Sequence, residues 1–312
     1  MKKKILIWRW ADAESGGSER RIKMADCVNR IKLIGDPDTV KRIMGAVKNE
    51  SGTGTIDFER IIPMPENIYR GNLGQEEFKK YGKNNWYDWC IANWGTKWNA
   101  YGFDNNARQR ADNEIIFLTA CSAPHPVIQR LAEMFPEIKI NHEWADEDIG
   151  MNCGRYQYYD GERIREYFPE SEKERLEFAA EVMDVDLEDY GLILNAAGTG
   201  YIDFRQNEFE LLELFGQTAL FTNDRITDAD IPKGTYCYDL RQSDDGERFC
   251  SIEKRVAVNR GGSVITKEPL TLGEKGFIPL TEDTEPNFIG KSVTFADFIV
   301  QTQEPGMEMK QC

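Results

Sequence analysis

The residue pattern predicts an α+β protein in two modules: a ferredoxin-like (split β-α-β) domain with a helical insertion, followed by a small β-rich α+β domain. Three observations lead there. A chain of 312 residues is long enough for about two domains that each bury a core. Its first half alternates strand-period and helix-period segments in the succession β-α-β, insertion, β-α-β-β, which suits a sheet with one face covered by helices. Past about Gln206 the texture changes to short apolar β runs separated by Asp, Gly and Pro.

Residues 1–23 read as an N-terminal strand and a flexible loop, because 11–23 is small, polar and glycine-rich. Residues 24–165 make the first domain. Cys27–Ile34 alternates as a strand, and Gly35-Asp36-Pro37-Asp38 turns the chain into a helix over 38–49, where Val40, Ile43, Met44 and Val47 form one apolar stripe. Thr55–Ile62 reads as the second strand, stopped by Pro63-Met64-Pro65. The insertion is helical from Gln75 to Trp94. Glu114–Thr119 then reads as a strand, Pro126–Met134 as a helix, and Ile138–Trp144 with Met151–Tyr159 as a hairpin turning at Asp146-Glu147-Asp148. Residues 166–205 form a helical connector: helix Glu170–Met183 turns Leu176, Ala179, Ala180 and Met183 inward, and a short strand spans Tyr190–Leu194. The second domain, 206–300, takes its strands from Ala219–Thr222, Gly234–Leu240, Cys250–Val258, Ser263–Thr266 and Phe277–Leu280, and 301–312 is a disordered tail. Gly52-Thr-Gly-Thr-Ile-Asp-Phe58 echoes Gly198-Thr-Gly-Tyr-Ile-Asp-Phe204. With no match around the copies, turn-then-strand chemistry accounts for both.

With 40% hydrophobic and 30% charged residues, the chain has the composition of a folded protein and not a disordered one. Ile5-Leu6-Ile7-Trp8 follows three lysines but ends at Arg9, too short a run for a secretory signal, and no stretch approaches the roughly 20 apolar residues of a membrane span. A cytoplasmic protein without a membrane partner is expected. Seven cysteines, none closer than 13 apart, exclude a Cys-x-x-Cys zinc pair and fit free thiols in a reducing compartment. The net charge of −15 is divided as +6 over residues 1–110 and −21 over 111–312. The acids Asp146, Glu147, Asp148, Asp184, Asp186, Glu188, Asp189, Asp244 and Asp245 are candidates for an acidic surface. Such a surface serves solubility, or competes for a DNA-binding partner by resembling a phosphate backbone.

No catalytic constellation emerges. His125 and His142 have no serine, cysteine or carboxylate partner at a motif spacing, so structural use is expected of both. The run Asp184-Val-Asp186-Leu-Glu188-Asp189 lacks the glycine of a calcium loop at its sixth position and the glutamate at its twelfth. Neither glycine pair, Gly52/Gly54 or Gly198/Gly200, has the lysine of a phosphate-binding loop or the third glycine of a dinucleotide fingerprint. No metal and no cofactor are expected, and an enzyme is the weakest reading, needing a buried acid cluster in a pocket. The most unusual segment is 86–101, where Trp86, Trp89, Trp94 and Trp98 fall near helical spacing until Gly95 ends the helix. Packing on the sheet is the plainer account. The functional one is stacking of unpaired bases or partner side chains on Trp94, Trp98 and Tyr101, beside Lys97, Arg108 and Arg110.

The motifs Phe58-Glu-Arg-Ile-Ile-Pro-Met-Pro65, Tyr87-Asp-Trp-Cys-Ile-Ala-Asn-Trp-Gly-Thr-Lys-Trp98, Thr119-Ala-Cys-Ser-Ala-Pro-His-Pro126 and Gly154-Arg-Tyr156 make residues 24–165 resemble the YubB-type ferredoxin-like domain of phage and conjugative-plasmid proteins. Leu214-Phe-Gly-Gln-Thr-Ala-Leu-Phe221, Gly234-Thr-Tyr-Cys-Tyr-Asp-Leu-Arg241, Ser243-Asp-Asp245 and Asn287-Phe-Ile-Gly290 make the second module similar to a small domain of the large polyvalent proteins of mobile elements. In such relatives the positions of Gln242 and Arg260 are often histidine. Neither residue here can bind a metal or relay protons as histidine does, which weakens an enzymatic reading further. The resemblance implies a non-enzymatic interaction protein that counters host defence, as antirestriction proteins do, by binding a host defence or DNA-processing protein. The alternative is nucleic-acid binding by the ferredoxin-like sheet.

Overall fold

The structure, a computed structural model, describes residues 26–50, 52, 54–102, 111–205, 208–242, 247–251, 261–270 and 276–300. The expected strand and loop in 1–23 and the expected tail at 301–312 lie outside them. The chain is α+β and divides into two units, 1–185 and 186–312. The expected connector 166–205 is parted between them.

In the first unit, β1 (Asp26–Ile34), β2 (Glu114–Ala120), β3 (Lys139–Asp146), β4 (Cys153–Tyr159) and β5 (Glu162–Tyr167) form an antiparallel sheet in the order β2-β1-β3-β4-β5. Helix α4 (His125–Met134) connects β2 to β3, which flank β1 on either side, and this is the split β-α-β crossover. Helix α1 (Pro37–Val47) starts where Pro37 can occupy the first turn and the Asp36 carboxylate accepts from Thr39 N at 2.9 Å. Two further helices, α2 (Gln75–Tyr81) and α3 (Trp86–Trp94), form within the insertion. The apolar stripes of α1 and α4 close with Cys90 and Trp94 of α3 over Ile31, Leu33, Ile115, Phe117, Ile140 and Tyr158 of the sheet.

Two expectations fail here. Thr55–Ile62 is not a strand: 55–57 is irregular and Phe58–Arg60 is a 3-10 turn. The segment returns beside the end of helix α1, which offers it one carbonyl, Val47 O to Asp57 N at 2.8 Å, and no ladder. Phe58 and Ile61 plug the core instead. The sheet is also not covered on one face only. Helix α5 (Glu172–Met183) packs Leu176, Phe178, Ala179, Val182 and Met183 on the opposite face, against β1, β3 and β4.

The sequence echo extends to an asparagine three residues before each first glycine, Asn49 and Asn195. Gly52 N donates to Asn49 O and Gly198 N to Asn195 O, and the same Asx turn ends each copy, Asp57 Oδ1 accepting from Glu59 N and Asp203 Oδ1 from Arg205 N. In the second copy, β6 (Leu192–Leu194) is extended and pairs with β7 (Tyr201–Asp203). One motif thus gives a strand or an irregular turn according to what precedes it.

The second unit is a seven-stranded antiparallel sheet. Its order is β13 (Phe277–Pro279), β11 (Arg248–Ser251), β10 (Tyr236–Gln242), β12 (Gly261–Thr266), β9 (Gln217–Thr222), β8 (Glu208–Leu214) and β14 (Asn287–Thr294). The far part of the expected Cys250–Val258 strand lies outside the described residues. Both faces are apolar: Leu212, Leu214, Tyr238, Leu240 and Val264 pack on one, and Phe209, Leu220 and Ile265 on the other, with Phe295 and Phe298 of α6 (Phe295–Val300).

Arg30, on β1 in the middle of the first sheet, is 8% exposed. Its guanidinium lies 3.7 Å from Glu114 on β2 and 3.7 Å from Glu143 on β3, and donates to the last-turn carbonyls Glu181 O at 2.9 Å and Val182 O at 3.1 Å. A cation there satisfies carbonyls that helix geometry leaves open. Replacing Arg30 by alanine removes the guanidinium beside Glu114 and the more distant of the two beside Glu143, and should cost about 3 kcal/mol of unfolding free energy. Adding Glu114→Gln in that background should recover part of the loss in urea denaturation, whereas adding Glu143→Gln should not, because Arg155 still pairs with Glu143.

Candidate functional site: an aromatic recess with two cations

The end of the insertion builds a recess in the first unit. Asn85 caps α3 by accepting from Asp88 N at 3.0 Å. Gly95 ends the helix in the left-handed region (φ 75°), and a Cβ there would sit 2.9 Å from Pro126 Cδ. The chain beyond is pinned at several points. Thr96 Oγ1 donates to Ala120 O at 2.8 Å, Ser122 Oγ to Gly95 O at 2.6 Å, and Asn99 Oδ1 accepts from Phe58 N at 2.9 Å. The tryptophans therefore divide by environment. Trp94 is buried, with its indole N–H donating to Ile62 O at 2.9 Å and its ring against Phe58 and Trp89. Trp86 is half-buried and donates to Gly71 O at 3.0 Å. Trp98 is half-buried, 6.2 Å from the Tyr101 ring.

An open cavity of about 560 Å³ is lined by Arg70, Phe78, Trp86, Tyr87, Lys97 and Trp98, together with 71–73. Lys97 Nζ stands 4.8 Å from the Trp98 ring centroid and 5.9 Å from that of Tyr87. Arg70 donates to Met64 O at 2.7 Å and lies 3.9 Å from Glu59.

Of the candidate contacts, Lys97 and Trp98 meet in this recess. Trp94 does not, because its ring fills the core. Tyr101 is also committed elsewhere: its hydroxyl donates to the Asp26 carboxylate, its backbone bridges to Leu118 of β2, and burial pushes its pKa up. Arg108 and Arg110 lie outside the described residues. Arg70, Phe78, Trp86 and Tyr87 complete the site. Trp86 and Tyr87 belong to the tryptophan-rich segment, whereas nothing in the sequence marks Arg70 or Phe78.

The acidic candidates are divided between the two units. Asp146 is half-buried, accepts from Asn152 Nδ2 at 2.9 Å, and is pushed up in pKa by burial. Glu147, Asp148 and Asp184 are exposed on the first unit. Asp186, Glu188 and Asp189 are exposed around one 3-10 turn of the second unit, whose carbonyls at 188 and 189 are held by Arg205 at 3.1 and 3.0 Å. Asp244 and Asp245 lie outside the described residues.

His125 and His142 belong to an aromatic cluster with Trp144 and Tyr156; His125 is 4.5 Å from Trp144, 4.8 Å from Tyr156 and 5.5 Å from His142 between centroids. His142 Nε2 lies 3.0 Å from Asn29 Oδ1. The Asn29 amide nitrogen is committed to Cys27 O and Thr119 Oγ1, so Nε2 is the donor. Burial lowers His142 well below the ordinary imidazole range, and burial with the nearby Arg163 charge lowers His125 to about 4. Burial likewise raises the thiols of Cys90 and Cys250 to about 12, far from thiolate chemistry. Among the described residues no three His, Cys, Asp or Glu side chains are grouped to hold a metal ion.

The first unit is thus a ferredoxin-like domain with an open, aromatic-lined surface recess, and the second is β-rich. Residues 94–186 match the family model described as the ferredoxin-like domain in Api92-like protein, and residues 205–300 match large polyvalent protein associated domain 28. No curated protein and no solved structure matches the chain.

The histidine cluster makes stability depend on pH. A histidine held neutral in the fold but free to protonate when unfolded lets the unfolded state bind more protons below its ordinary pKa. Stability should therefore fall as pH drops from about 6.5 toward about 4, where the His125 contribution levels off. Thermal midpoints across that window should fall less steeply for His125→Gln than for the natural chain.

Proposed function

We propose that the chain is a non-enzymatic, cytoplasmic interaction protein of a mobile element whose first unit binds single-stranded nucleic acid. The observation that carries this reading is the recess: half-buried Trp86, Tyr87 and Trp98 offer ring faces, and Lys97 and Arg70 supply positive charge at the same opening. An unpaired base has a flat π face and an adjacent phosphate, which such a set can stack and neutralise together. Among the described residues no helix is long and apolar enough to cross a membrane.

A second reading concerns the second unit. Residues 186–312 carry −11 of the net −15, and Asp186, Glu188 and Asp189 share one exposed turn. Such a surface suits the basic face of a host defence or DNA-processing protein, and is the form an antirestriction role takes here. Pull-downs at moderate salt that recover no such protein would remove its support.

For the first unit, a short single-stranded oligonucleotide at low salt should quench tryptophan emission. Trp98→Ala should weaken binding by at least about fivefold, the loss of one stacked base. Absence of any binding at low salt contradicts the reading.

A further inference from the structure

Helix α5 roofs only part of the second face of the five-stranded sheet, and the strand register shows what the remainder presents. One row across the sheet runs Ile116, Arg30, Glu143, Arg155, Tyr167, and there Arg30 and Arg155 meet α5. Two residues further along the strands, the next row is polar from edge to edge: Glu114, Lys32, Asn141, Gln157, Arg165. The row after that carries Ile34, Lys139, Tyr159 and, at the edge, Glu162. Lys32, Arg165 and Tyr159 are exposed, Tyr159 by 50%. Asn141 Oδ1 is buried beneath this row and has no hydrogen-bond partner among the described residues.

The charges on this half are unbalanced. Its two central acids face guanidinium groups already: Glu114 lies beside Arg30, and Glu143 is shared by Arg30 at 3.7 Å and Arg155 at 2.6 Å. Lys32, Lys139 and Arg165 make no ion pair among the described residues. Between β4 and β5 lies a cleft of about 210 Å³ lined by Arg155, Gln157, Arg165, Glu166 and Tyr167. Its one carboxylate, Glu166, lies 3.6 Å from Arg163.

We propose that this open half of the sheet is a second binding surface for single-stranded nucleic acid, with Arg165 at the cleft seating a backbone phosphate, Lys32 and Lys139 contacting others, and Tyr159 stacking a base. For its ligand class this rests on the nucleic-acid reading of the recess, but it assigns a separate surface. Cations supply the sequence-independent affinity, while the amide of Gln157 stands between them as donor and acceptor for a base edge. An acidic peptide would satisfy the cations but leave Tyr159 without a stacking partner.

Fluorescence anisotropy of the full chain with labelled 12-nucleotide DNA and RNA strands, between about 50 and 200 mM salt, tests this. The variant Lys32→Glu/Lys139→Glu/Arg165→Glu, all exposed or half-buried side chains outside ion pairs, should bind at least about tenfold more weakly. Three lost phosphate contacts should flatten the slope of log K against log salt by about 2. Tyr159→Ala should weaken binding by at least about fivefold without changing that slope. Loss in these variants with Trp98→Ala unaffected supports the sheet and sinks the recess. Loss in Trp98→Ala alone sinks the sheet and leaves the recess standing. Displacement of the strand by poly-glutamate at equal charge concentration overturns the proposal in favour of a general polyanion surface, and no binding by the natural chain overturns both.

Discussion

A buried guanidinium organises the first unit. Arg30 sits on the strand flanked by both partners of the split crossover, so one side chain reaches Glu114 on one neighbour, Glu143 on the other, and the open carbonyls at the end of α5. Removing a charge from water is costly, and only several good partners make that cost tolerable. The consequence is spatial. With the C-terminal end of α5 anchored at Arg30, the helix covers the apolar part of the second face, and the polar rows beyond stay open. The half-roofed sheet follows from that anchor.

The other face follows a different rule. Aromatic rings there are divided between core and recess by where their polar atoms can be satisfied. The Trp94 N–H finds Ile62 O in the interior, so the whole indole can be buried. Past Gly95 the chain leaves helical geometry and is held by Thr96 and Asn99, which leaves Trp98 with Lys97 over its ring at the mouth of the cavity. The same helix therefore contributes both to stability and to the opening, and a stripe of indoles at helical spacing does not by itself say which rings are accessible.

Much of the fold was legible in the residues. Strands with clean alternation, such as Cys27–Ile34 and Ile138–Trp144, and helices with an apolar stripe, such as those around Val40–Val47 and Pro126–Met134, lie where periodicity puts them, because burial on one face is what periodicity records. Strand β5 went unread since all six of its residues are exposed and carry no alternation. Thr55–Ile62 misled because its β-branched residues fit a strand locally, while the helix before it offers no ladder. Of the site, Lys97 and Trp98 were visible in an unusual segment, but Arg70 enters from a distant loop. The polar row Glu114–Lys32–Asn141–Gln157–Arg165 draws one residue from each of five strands. Only the register brings it together, and no local pattern announces it.

Photo-crosslinking with a strand carrying 4-thiouridine, followed by peptide mapping, tests most directly the claim that the first unit carries the nucleic-acid surfaces. The account predicts adducts in peptides containing Tyr159 or Trp98, reduced as salt rises. Adducts confined to residues 186–312, or none above those on an unrelated acidic protein, would contradict it.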